Sequence, residues 1–510
     1  MHNKNKLAYS AAMISILTLM SKVLGFLREV MIANRFGSGM ETDTYFVAMT
    51  GTVIIMSTVG AALNTTLIPI FSEIGQKYGK KGKLKYFNNM VNIVLGITLI
   101  IVVLGFVFSP VIIKILAKDF KGAQFELAVK LHRIGMPIAV LLGLNYLFSG
   151  LLQSSQIFGP SAISGFPYNF VFLIYLFFFC KEPNVVTLMI VSVIAALFQF
   201  LILVPATVHM GYRYKFGFNL QDRYFRKAIT LTLPVLIGSA VQQVNVIIDK
   251  TLASGLKVGS ISALNYASKI DEMVIAVFIM AITTVVYPML SDAFARNDVG
   301  EVKKILGQGI NIILLITVPA TIGLILLAKP IVYIFFQRNA FDEVATSMTS
   351  SALIFYSLGL VGSSLRLMLN KVYYSFQDTR TPMINGMIAV LANVIFNLIL
   401  IKPMGHSGLA LATSISATIT TVMLFINLRM KIGPIGLRSY IICFLKTLLA
   451  SVIMGFAVYL IYYKLGAILP ATKLVQLVIL LASVIIGVIV YFGLCVVFRV
   501  KELEIILKRI

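Results

Sequence analysis

Charged residues are scarce in this sequence, and tryptophan is missing altogether. Of the 510 residues only 12% are charged, whereas 59% are hydrophobic. A soluble protein of this length would need far more polar surface to cover its cores. Apolar runs of about twenty residues recur from end to end, and each is long enough to cross ~30 Å of hydrocarbon. The composition therefore excludes a soluble protein and predicts a polytopic membrane protein.

Cysteine and histidine are also rare, with three and four residues respectively. Cys180, Cys443 and Cys495 lie singly in apolar runs, which indicates neither a disulfide framework nor a zinc site. No G-x-x-x-x-G-K-[ST] phosphate loop is found, so the sequence carries no ATPase signature. The loops are short and hold no cluster of catalytic acids or histidines, which argues against a membrane-embedded glycosyl- or acyltransferase. We therefore predict that the protein is not an enzyme.

The charge that is present is strongly biased, with 43 basic and 19 acidic residues and a net charge of +24. The basic residues fall in short connections between apolar runs, as the positive-inside rule expects. They include Lys77, Lys80, Lys81, Lys83, Lys85, Arg213, Lys215, Arg223, Arg226, Lys227, Arg296, Lys303, Lys304, Arg429, Lys431, Arg438, Arg499, Lys501, Lys508 and Arg509. This pattern indicates membrane orientation rather than nucleic-acid binding, and it predicts that both termini are cytoplasmic.

Apolar periodicity, interrupted by Gly, Pro and charge, predicts fourteen transmembrane helices. Their ranges are 8–33, 44–72, 87–117, 127–155, 160–180, 184–209, 226–256, 262–292, 303–336, 345–376, 382–402, 408–429, 438–463 and 470–498. An even count returns the basic C-terminus to the side of the N-terminus. The predicted fold class is therefore an all-α polytopic membrane protein.

Two pairs of similar motifs indicate an internal repeat. The pairs are "TTLIPIFSE" (Thr65–Glu73) with "TTVVYPMLSD" (Thr283–Asp292), and "LQSSQIFGPSA" (Leu152–Ala162) with "YYSFQDTRTPM" (Tyr373–Met383). Pro69 and Pro288 are 219 residues apart, which is close to the separation in the second pair. Chance similarity between apolar segments does not explain two matches at nearly equal separation.

The repeat predicts two lobes of six helices each. Because six is even, the lobes share one orientation and should be related by an axis along the membrane normal, as in parallel-repeat transporters. The predicted domains are an N-lobe (1–210), a C-lobe (211–430) and two C-terminal helices with a tail (431–510). Such lobes enclose a central cavity, and rocking between them gives alternating access.

Several ionisable residues fall inside the predicted spans. Lys22, in "SKVLGFLREV" (Ser21–Val30), is about fifteen residues into the first span, or ~22 Å. Such residues usually face the bundle interior or water and mark a pathway. The candidate substrate-binding residues are Lys22, Arg28, Asp43 and Lys269, with Glu29 and Arg366 as further candidates. For Arg28, Glu29 and Asp43, snorkelling at the outer interface is an open alternative. A cationic cavity suits an anionic cargo such as a phosphate or pyrophosphate.

Polar residues near the outer ends of three later spans form a candidate cation site. They are Asp249 in span seven, Asn393 and Asn397 in span eleven, and Thr413 in span twelve. Asn393 and Asn397 are four residues apart and share a helix face. Carboxylate, amide and hydroxyl oxygens suit a hard cation such as Na⁺. The alternative is that Asp249 pairs with a lysine and that the asparagines join helices. Na⁺, H⁺ or the membrane potential alone could supply the drive.

The stretch "SKVLGFLREVMIANRFGSGMETDTYFVA" (Ser21–Ala48) resembles the opening signature of the MurJ/MviN family, and "QDTRTP" (Gln377–Pro382) resembles its later junction. The family belongs to the multidrug/oligosaccharidyl-lipid/polysaccharide exporter superfamily. The resemblance implies a lipid II flippase of the bacterial cytoplasmic membrane that functions in peptidoglycan biosynthesis as a monomer among membrane lipids. It also implies a V-shaped cationic cavity for the headgroup, and a groove on spans thirteen and fourteen for the lipid tail.

Matched by motif, the resemblance places the family's first-helix cations at Lys22 and Arg28, its acid at Asp43 and its span-eight cation at Lys269. It also matches the possible sodium ligands named above to spans seven, eleven and twelve of sodium-linked members. Span two often carries charge in the family, yet "GTVIIMSTVGAALN" (Gly51–Asn64) is uncharged here. Export of another polyprenyl-linked saccharide, such as a capsule or teichoic precursor, therefore stays an alternative, as does a cation-coupled drug exporter.

Overall fold

The computed structural model describes residues 2–470, 472–500 and 503, and all regular elements in these ranges are helices. The predicted all-α fold class is confirmed. The chain divides after Ser262 into two compact units, which are described separately below. The predicted domain boundaries after residues 210 and 430 stay predictions.

The first unit is built mainly from ten helices. They are α1 (His2–Phe36), α2 (Met40–Val107), α3 (Ser109–Leu116), α4 (Gly122–Gly135), α5 (Ile138–Ser154), α6 (Gly159–Ile163), α7 (Gly165–Ile174), α8 (Val185–Leu201), α9 (Val204–His209) and α10 (Arg223–Ala253). A π-helical turn, Tyr175–Phe179, extends α7. The unit ends within the first turn of α11 (Ser260–Val274).

The second unit begins within α11, which a π-helical turn at Ile275–Ile279 joins to α12. Nine further helices follow. They are α12 (Met280–Ala295), α13 (Val299–Leu326), α14 (Ala328–Phe335), α15 (Glu343–Ser357), α16 (Leu360–Ser375), α17 (Arg380–Met404), α18 (His406–Ile432), α19 (Leu437–Ile468) and α20 (Lys473–Val497).

Within the described residues, ten helical stretches are long and apolar enough to cross a membrane, or eleven if the bent pair α15–α16 forms one span. One of the ten, α2, covers the second and third predicted spans. The helices α1 and α10 correspond to the first and seventh. The helices are therefore consistent with the fourteen predicted spans, and the count of fourteen stays a prediction.

The 68-residue α2 differs from the expected pair of spans joined by a loop. Its only non-helical residue is Gly79, which has φ +65° and divides a first arm (residues 40–78) from a second arm (80–107). The lysines after Gly79 open the second arm as helix, because lysine is a good helix former. The predicted basic connection is therefore mostly helical.

The second pair of repeated motifs forms the same turn in each half of the chain. Gln156 after α5 and Gln377 after α16 have φ of 60° and 57°. In each turn the next N–H bonds back to a carbonyl five residues earlier, Ile157 to Leu152 at 2.9 Å and Asp378 to Tyr373 at 3.0 Å. This is the Schellman arrangement, with glutamine at the left-handed position that glycine usually takes. The shared backbone geometry supports the predicted internal repeat.

In the later copy of this turn, Asp378 connects the start of α17 to the end of α18. Its carboxylate accepts hydrogen bonds from the Thr381 backbone N–H (3.0 Å) and hydroxyl (2.9 Å), and from Lys431 Nζ (2.5 Å). Burial acts to raise the pKa of Asp378, but these hydrogen bonds outweigh it and lower that pKa from 3.8 to about 2. The "QDTRTP" motif thus contains an ionised acid that joins two helices.

This depressed pKa predicts a specific acid sensitivity. Because the folded protein holds the Asp378 proton less tightly than the unfolded chain, the ion pair stabilises the fold above pH ~4 and loses its effect as the pH falls toward 2. Asp378→Asn should therefore lower the melting temperature of the purified protein at pH 6 and flatten its decline between pH 5 and 2. Unfolding curves recorded across that range measure both effects, and parallel declines for the two proteins would contradict the prediction.

The cores of the two units are packed by aromatic rings and tyrosine hydroxyls. In the first unit, Phe87 lies between Phe71 and Phe148, with ring centroids 6.0 and 5.0 Å away. In the second, Tyr373 donates to the Leu424 carbonyl at 2.8 Å and Tyr491 donates to the Leu315 carbonyl at 2.8 Å. Hydrogen bonds between helices matter here, because hydrocarbon surroundings give little hydrophobic drive to helix association.

Candidate functional site

The helix α1 packs very closely against α7 in the first unit. A Cβ on Gly165 would lie 2.2 Å from Ser21 Oγ, so any larger residue here would force the Ser21 side chain to move. Asn169 Nδ2, one turn further along α7, donates to the backbone carbonyls of Ser21 (3.1 Å) and Gly165 (2.9 Å). Small residues allow such an approach in membrane helices, and Gly25 on α1 also faces Asn169.

This close packing fixes the guanidinium of Arg28. Nη1 donates to Asn169 Oδ1 at 3.0 Å, and Nη2 donates to Glu29 Oε1 at 2.7 Å. The guanidinium carbon lies 5.2 Å from the Tyr168 ring centroid and 5.3 Å from that of Phe172, within cation–π range. The Arg28 side chain is 19% exposed and that of Glu29 is 6% exposed. Arg28 is therefore held in one orientation, and Glu29 balances its charge.

Lys22, also on α1, differs from Arg28 in having no described partner that holds its charge. Its side chain is exposed, and it makes no hydrogen bond or ion pair with any residue that the structure describes. Lys22 and Arg28 are six positions apart, which places them about 120° apart around the helix and ~9 Å apart along it. The structure thus brings Arg28 and Glu29 together and leaves Lys22 as a separate, unneutralised charge.

Asp43, in the first turn of α2, is buried at the start of α11. Its Oδ2 accepts the Gly259 N–H at 2.7 Å, and its Oδ1 accepts the Ser262 N–H at 2.7 Å and the Ser262 hydroxyl. These N–H groups lie at a helix N-terminus, where an anion is favoured. Gly259 has φ +91° and its carbonyl accepts from Ser38 Oγ at 3.0 Å. Asp43 is 4% exposed, so it caps α11 inside the protein rather than extending to an interface.

The cap predicts a large effect of Asp43→Ala on stability. The substitution leaves the N–H groups of Gly259 and Ser262 without their acceptor, at a cost of about 1–3 kcal/mol for each buried group. We expect a lower melting temperature and faster amide exchange at residues 259–262. Glu41→Ala removes an exposed acid of the same helix turn and is the matched control. Equal melting temperatures for the two variants would show that the cap is not needed.

The candidate cations of the second unit differ in their surroundings. Lys269 Nζ on α11 forms an ion pair with Glu272 Oε2 at 2.8 Å. Arg366 on α16 is half-buried and has no hydrogen-bond or ion-pair partner in the described ranges. Five residues further on, Lys371 Nζ lies 5.2 Å from the ring centroid of Tyr287. Lys269 is therefore partly neutralised, whereas Arg366 is not.

Three of the four candidate sodium ligands come together in the second unit. Asn397 Nδ2 donates to Asn393 Oδ1 at 2.7 Å, and Asn393 Nδ2 donates to Thr413 Oγ1 at 3.3 Å. Asp249 lies in the first unit, where Asn245 Nδ2 is 3.5 Å from its Oδ2. Among the described residues, no group of three or more His, Cys, Asp and Glu side chains could hold a metal ion. The amide and hydroxyl oxygens suit Na⁺ by type, and the sodium site stays a prediction.

Comparison with known proteins identifies the family. A family model described as "Lipid II flippase MurJ" matches residues 32–494. This chain belongs to the MurJ family. A Rickettsia prowazekii protein described as "Probable lipid II flippase MurJ" is 29% identical over 506 residues, covering 97% of this chain and 98% of that protein. A Vibrio cholerae protein of the same description is 30% identical over 447 residues, covering 84% and 83%.

Solved structures agree with this membership. A structure described as "Lipid II flippase MurJ, inward closed conformation" matches with a TM-score of 0.79 and 26% identity, covering 96% of this chain and 99% of the other. A multidrug resistance MATE family transporter in an inward-facing conformation matches with a TM-score of 0.67 and 15% identity, covering 82% and 98%, which shows a shared fold alone. As a MurJ-family member, the chain is a multi-pass membrane transporter rather than an enzyme.

The residues that contact Arg28, Lys269 and Asp43 were not predicted from the sequence. Asn169 is a lone amide in the apolar run "GFPYNFVF", a signal that could have marked it as a helix contact. Glu272 follows Lys269 at the i,i+3 spacing that favours an ion pair. Ser262 gave no comparable signal, because its contact with Asp43 joins residues 219 positions apart.

Proposed function

We propose that this protein moves lipid II, an undecaprenyl-pyrophosphate-linked peptidoglycan precursor, from the inner to the outer leaflet of the bacterial cytoplasmic membrane by alternating access. The observation that carries the proposal is Lys22, an exposed cation deep in a membrane helix that pairs with no described residue. Such a charge is costly unless it meets water or an anion. Membership of a family described as lipid II flippases supports pyrophosphate as that anion.

Each candidate residue then has a distinct role. In the first unit, Lys22 supplies positive charge that the described protein leaves unneutralised, and it binds phosphate oxygens. Arg366 is the corresponding unneutralised candidate of the second unit. Arg28 presents a planar fork of donors in a fixed orientation, which suits an oxyanion better than a flexible ammonium. Lys269 gives up its ion pair with Glu272 and binds the cargo instead. Asp43 positions the start of α11. An inside-negative potential contributes about 2.3 kcal/mol per charge per 100 mV toward outward movement of an anionic headgroup.

We propose an orientation with both termini cytoplasmic and a monomer as the working unit. The basic connections support the orientation, since all of them fall on one side of the membrane when the fourteen predicted spans are traced. Cysteines introduced at Lys80 and at Lys181 provide the test. A membrane-impermeant thiol reagent applied to intact cells should label position 181 and not position 80.

The test of the cargo is complementation of a bacterium depleted of its own lipid II flippase. We expect the wild-type chain to restore growth and lipid II export. If the inserted, expressed protein fails to do so, export of another polyprenyl-linked saccharide becomes the better explanation. The uncharged stretch of span two, Gly51–Asn64, is the observation that favours that second candidate.

We further propose Na⁺ as the coupling ion, with oxygens of Asn393, Asn397 and Thr413 among its ligands. Their hydrogen-bonded arrangement on α17 and α18 supports this, and the part of Asp249 stays a prediction. Export measured in vesicles should fall when Na⁺ is replaced by K⁺, and Asn397→Ala should remove that difference. Export that is the same in both salts would refute Na⁺ coupling.

A further inference from the structure

The connection between α9 and α10, here called the linker segment (residues 211–222), lies along the second arm of α2. Three asparagines of that arm hold its backbone. Asn88 donates to the Lys215 carbonyl at 2.7 Å and accepts the Lys215 N–H at 2.9 Å, and Asn92 donates to the same carbonyl at 3.0 Å. Asn89 donates to the Asn219 carbonyl and accepts the Asn219 N–H, both at 2.8 Å.

The linker segment reaches beyond the polar start of this arm. The Phe218 ring lies over Gly96, 3.5 Å from where a Cβ would project. Gly96 is eight residues past Asn88, or ~12 Å further along the helix. The Phe218 ring reaches this depth, whereas the backbone of Lys215 and Asn219 lies level with the three asparagines. Where such a backbone enters the boundary with hydrocarbon, its polar groups need partners within the protein. The asparagine side chains supply these partners, and they explain how an irregular segment can lie against a membrane helix.

The outer surface of the linker segment combines apolar and basic side chains. Phe216 is 80% exposed, and Tyr214, Phe218 and Leu220 are also exposed. Arg213 and Lys215 are exposed as well, and the one acid of the linker segment, Asp222, caps the start of α10. Aromatic residues concentrate at membrane–water interfaces, and basic residues beside them attract anionic lipid headgroups.

We propose that the linker segment is a binding site for anionic phospholipid. Phe216 and Phe218 insert at the boundary between headgroups and hydrocarbon, and Arg213 and Lys215 bind the lipid phosphate. The leaflet is the cytoplasmic one in the orientation proposed above.

The absence of tryptophan makes insertion directly measurable. Phe216→Trp creates a single tryptophan, which can be excited selectively over the 21 tyrosines. Tyr78→Trp, at an exposed site just before Gly79, is the matched control. Both proteins are placed in lipid nanodiscs that contain phospholipids brominated near the glycerol end of their chains. We expect strong quenching at position 216 and weak quenching at position 78. An emitter at 216 that bromolipid does not quench, while iodide in solution does, would overturn the proposal.

Headgroup preference is tested by the retention of phosphatidylglycerol on the purified protein, measured by native mass spectrometry against phosphatidylcholine. The double variant Arg213→Gln/Lys215→Gln should weaken retention roughly 30-fold, because each basic residue near an anionic surface contributes about a fivefold step. Lys80→Gln/Lys81→Gln removes the same net charge and should retain the lipid. Equal losses in both variants would show general attraction and overturn the site. Neither readout involves lipid II, so both stand apart from the proposed function.

Discussion

Replacing Lys22 by alanine is expected to abolish the rescue of a bacterium depleted of its lipid II flippase. Lys22 is exposed within α1 and pairs with no residue that the structure describes, so its removal leaves no buried partner behind. The loss should therefore appear in transport rather than in folding. A charge-assisted hydrogen bond contributes about 1.5–3 kcal/mol, which corresponds to a roughly 10–100-fold fall in export. Plating efficiency and surface-exposed lipid II measure this fall.

Two controls separate charge from other effects. Lys22→Arg keeps the positive charge and replaces the ammonium by a planar guanidinium with more donors, so it should rescue part of the growth. Lys181→Ala removes an exposed lysine of a connection and should rescue fully. Wild-type rescue by well-expressed Lys22→Ala would remove Lys22 from the substrate site and would leave Arg28, Lys269 and Arg366 as the remaining candidates.

Replacing Arg28 by alanine is expected to damage the fold as well as transport. Its partner Glu29 is 6% exposed, and breaking a buried ion pair from one side typically costs about 3–5 kcal/mol. The Asn169 amide and the rings of Tyr168 and Phe172 would also lose their contact with the guanidinium. We expect a low yield of folded protein and a reduced melting temperature, measured on purified membranes and in detergent.

The double variant Arg28→Ala/Glu29→Ala distinguishes the contribution of Arg28 to folding from its contribution to transport. Removal of both charges leaves no uncompensated carboxylate, so the double variant should be more stable than Arg28→Ala alone. It should nevertheless fail to export lipid II if Arg28 binds the cargo. A single variant that melts at the wild-type temperature would contradict the stabilising role of the pair.

The features that follow from local sequence were predictable. Apolar length located the helices, and the matched motifs located the turns at Gln156 and Gln377, where both copies have the same backbone geometry. The predicted loop after Gly79 was wrong. Clustered lysines are typical of a connection between membrane spans, but lysine also favours helix, and the second arm of α2 begins there as helix. Depth along a helix can also be counted from the sequence, and the position of Lys22 within the first span stays a prediction from that count.

The surroundings of the charges were not predictable, since they depend on contacts between distant residues. The contact from Arg28 to Asn169 joins positions 141 apart, and that from Asp43 to Gly259 joins positions 216 apart. Periodicity within one helix contains no information about which neighbour it will face. The sequence therefore identified the charged residues without showing that Arg28 and Asp43 are engaged by the protein while Lys22 and Arg366 are not.

The contact between Ser21 and Gly165 has a mechanical consequence. Two helices that approach so closely, and that share the Asn169 amide between them, cannot slide past each other without breaking hydrogen bonds. Packed interfaces of this kind shift between discrete arrangements rather than deform smoothly. We therefore expect α1 and α7 to travel as one rigid body, so that the Arg28 guanidinium is carried with an unchanged orientation through every stage of the transport cycle.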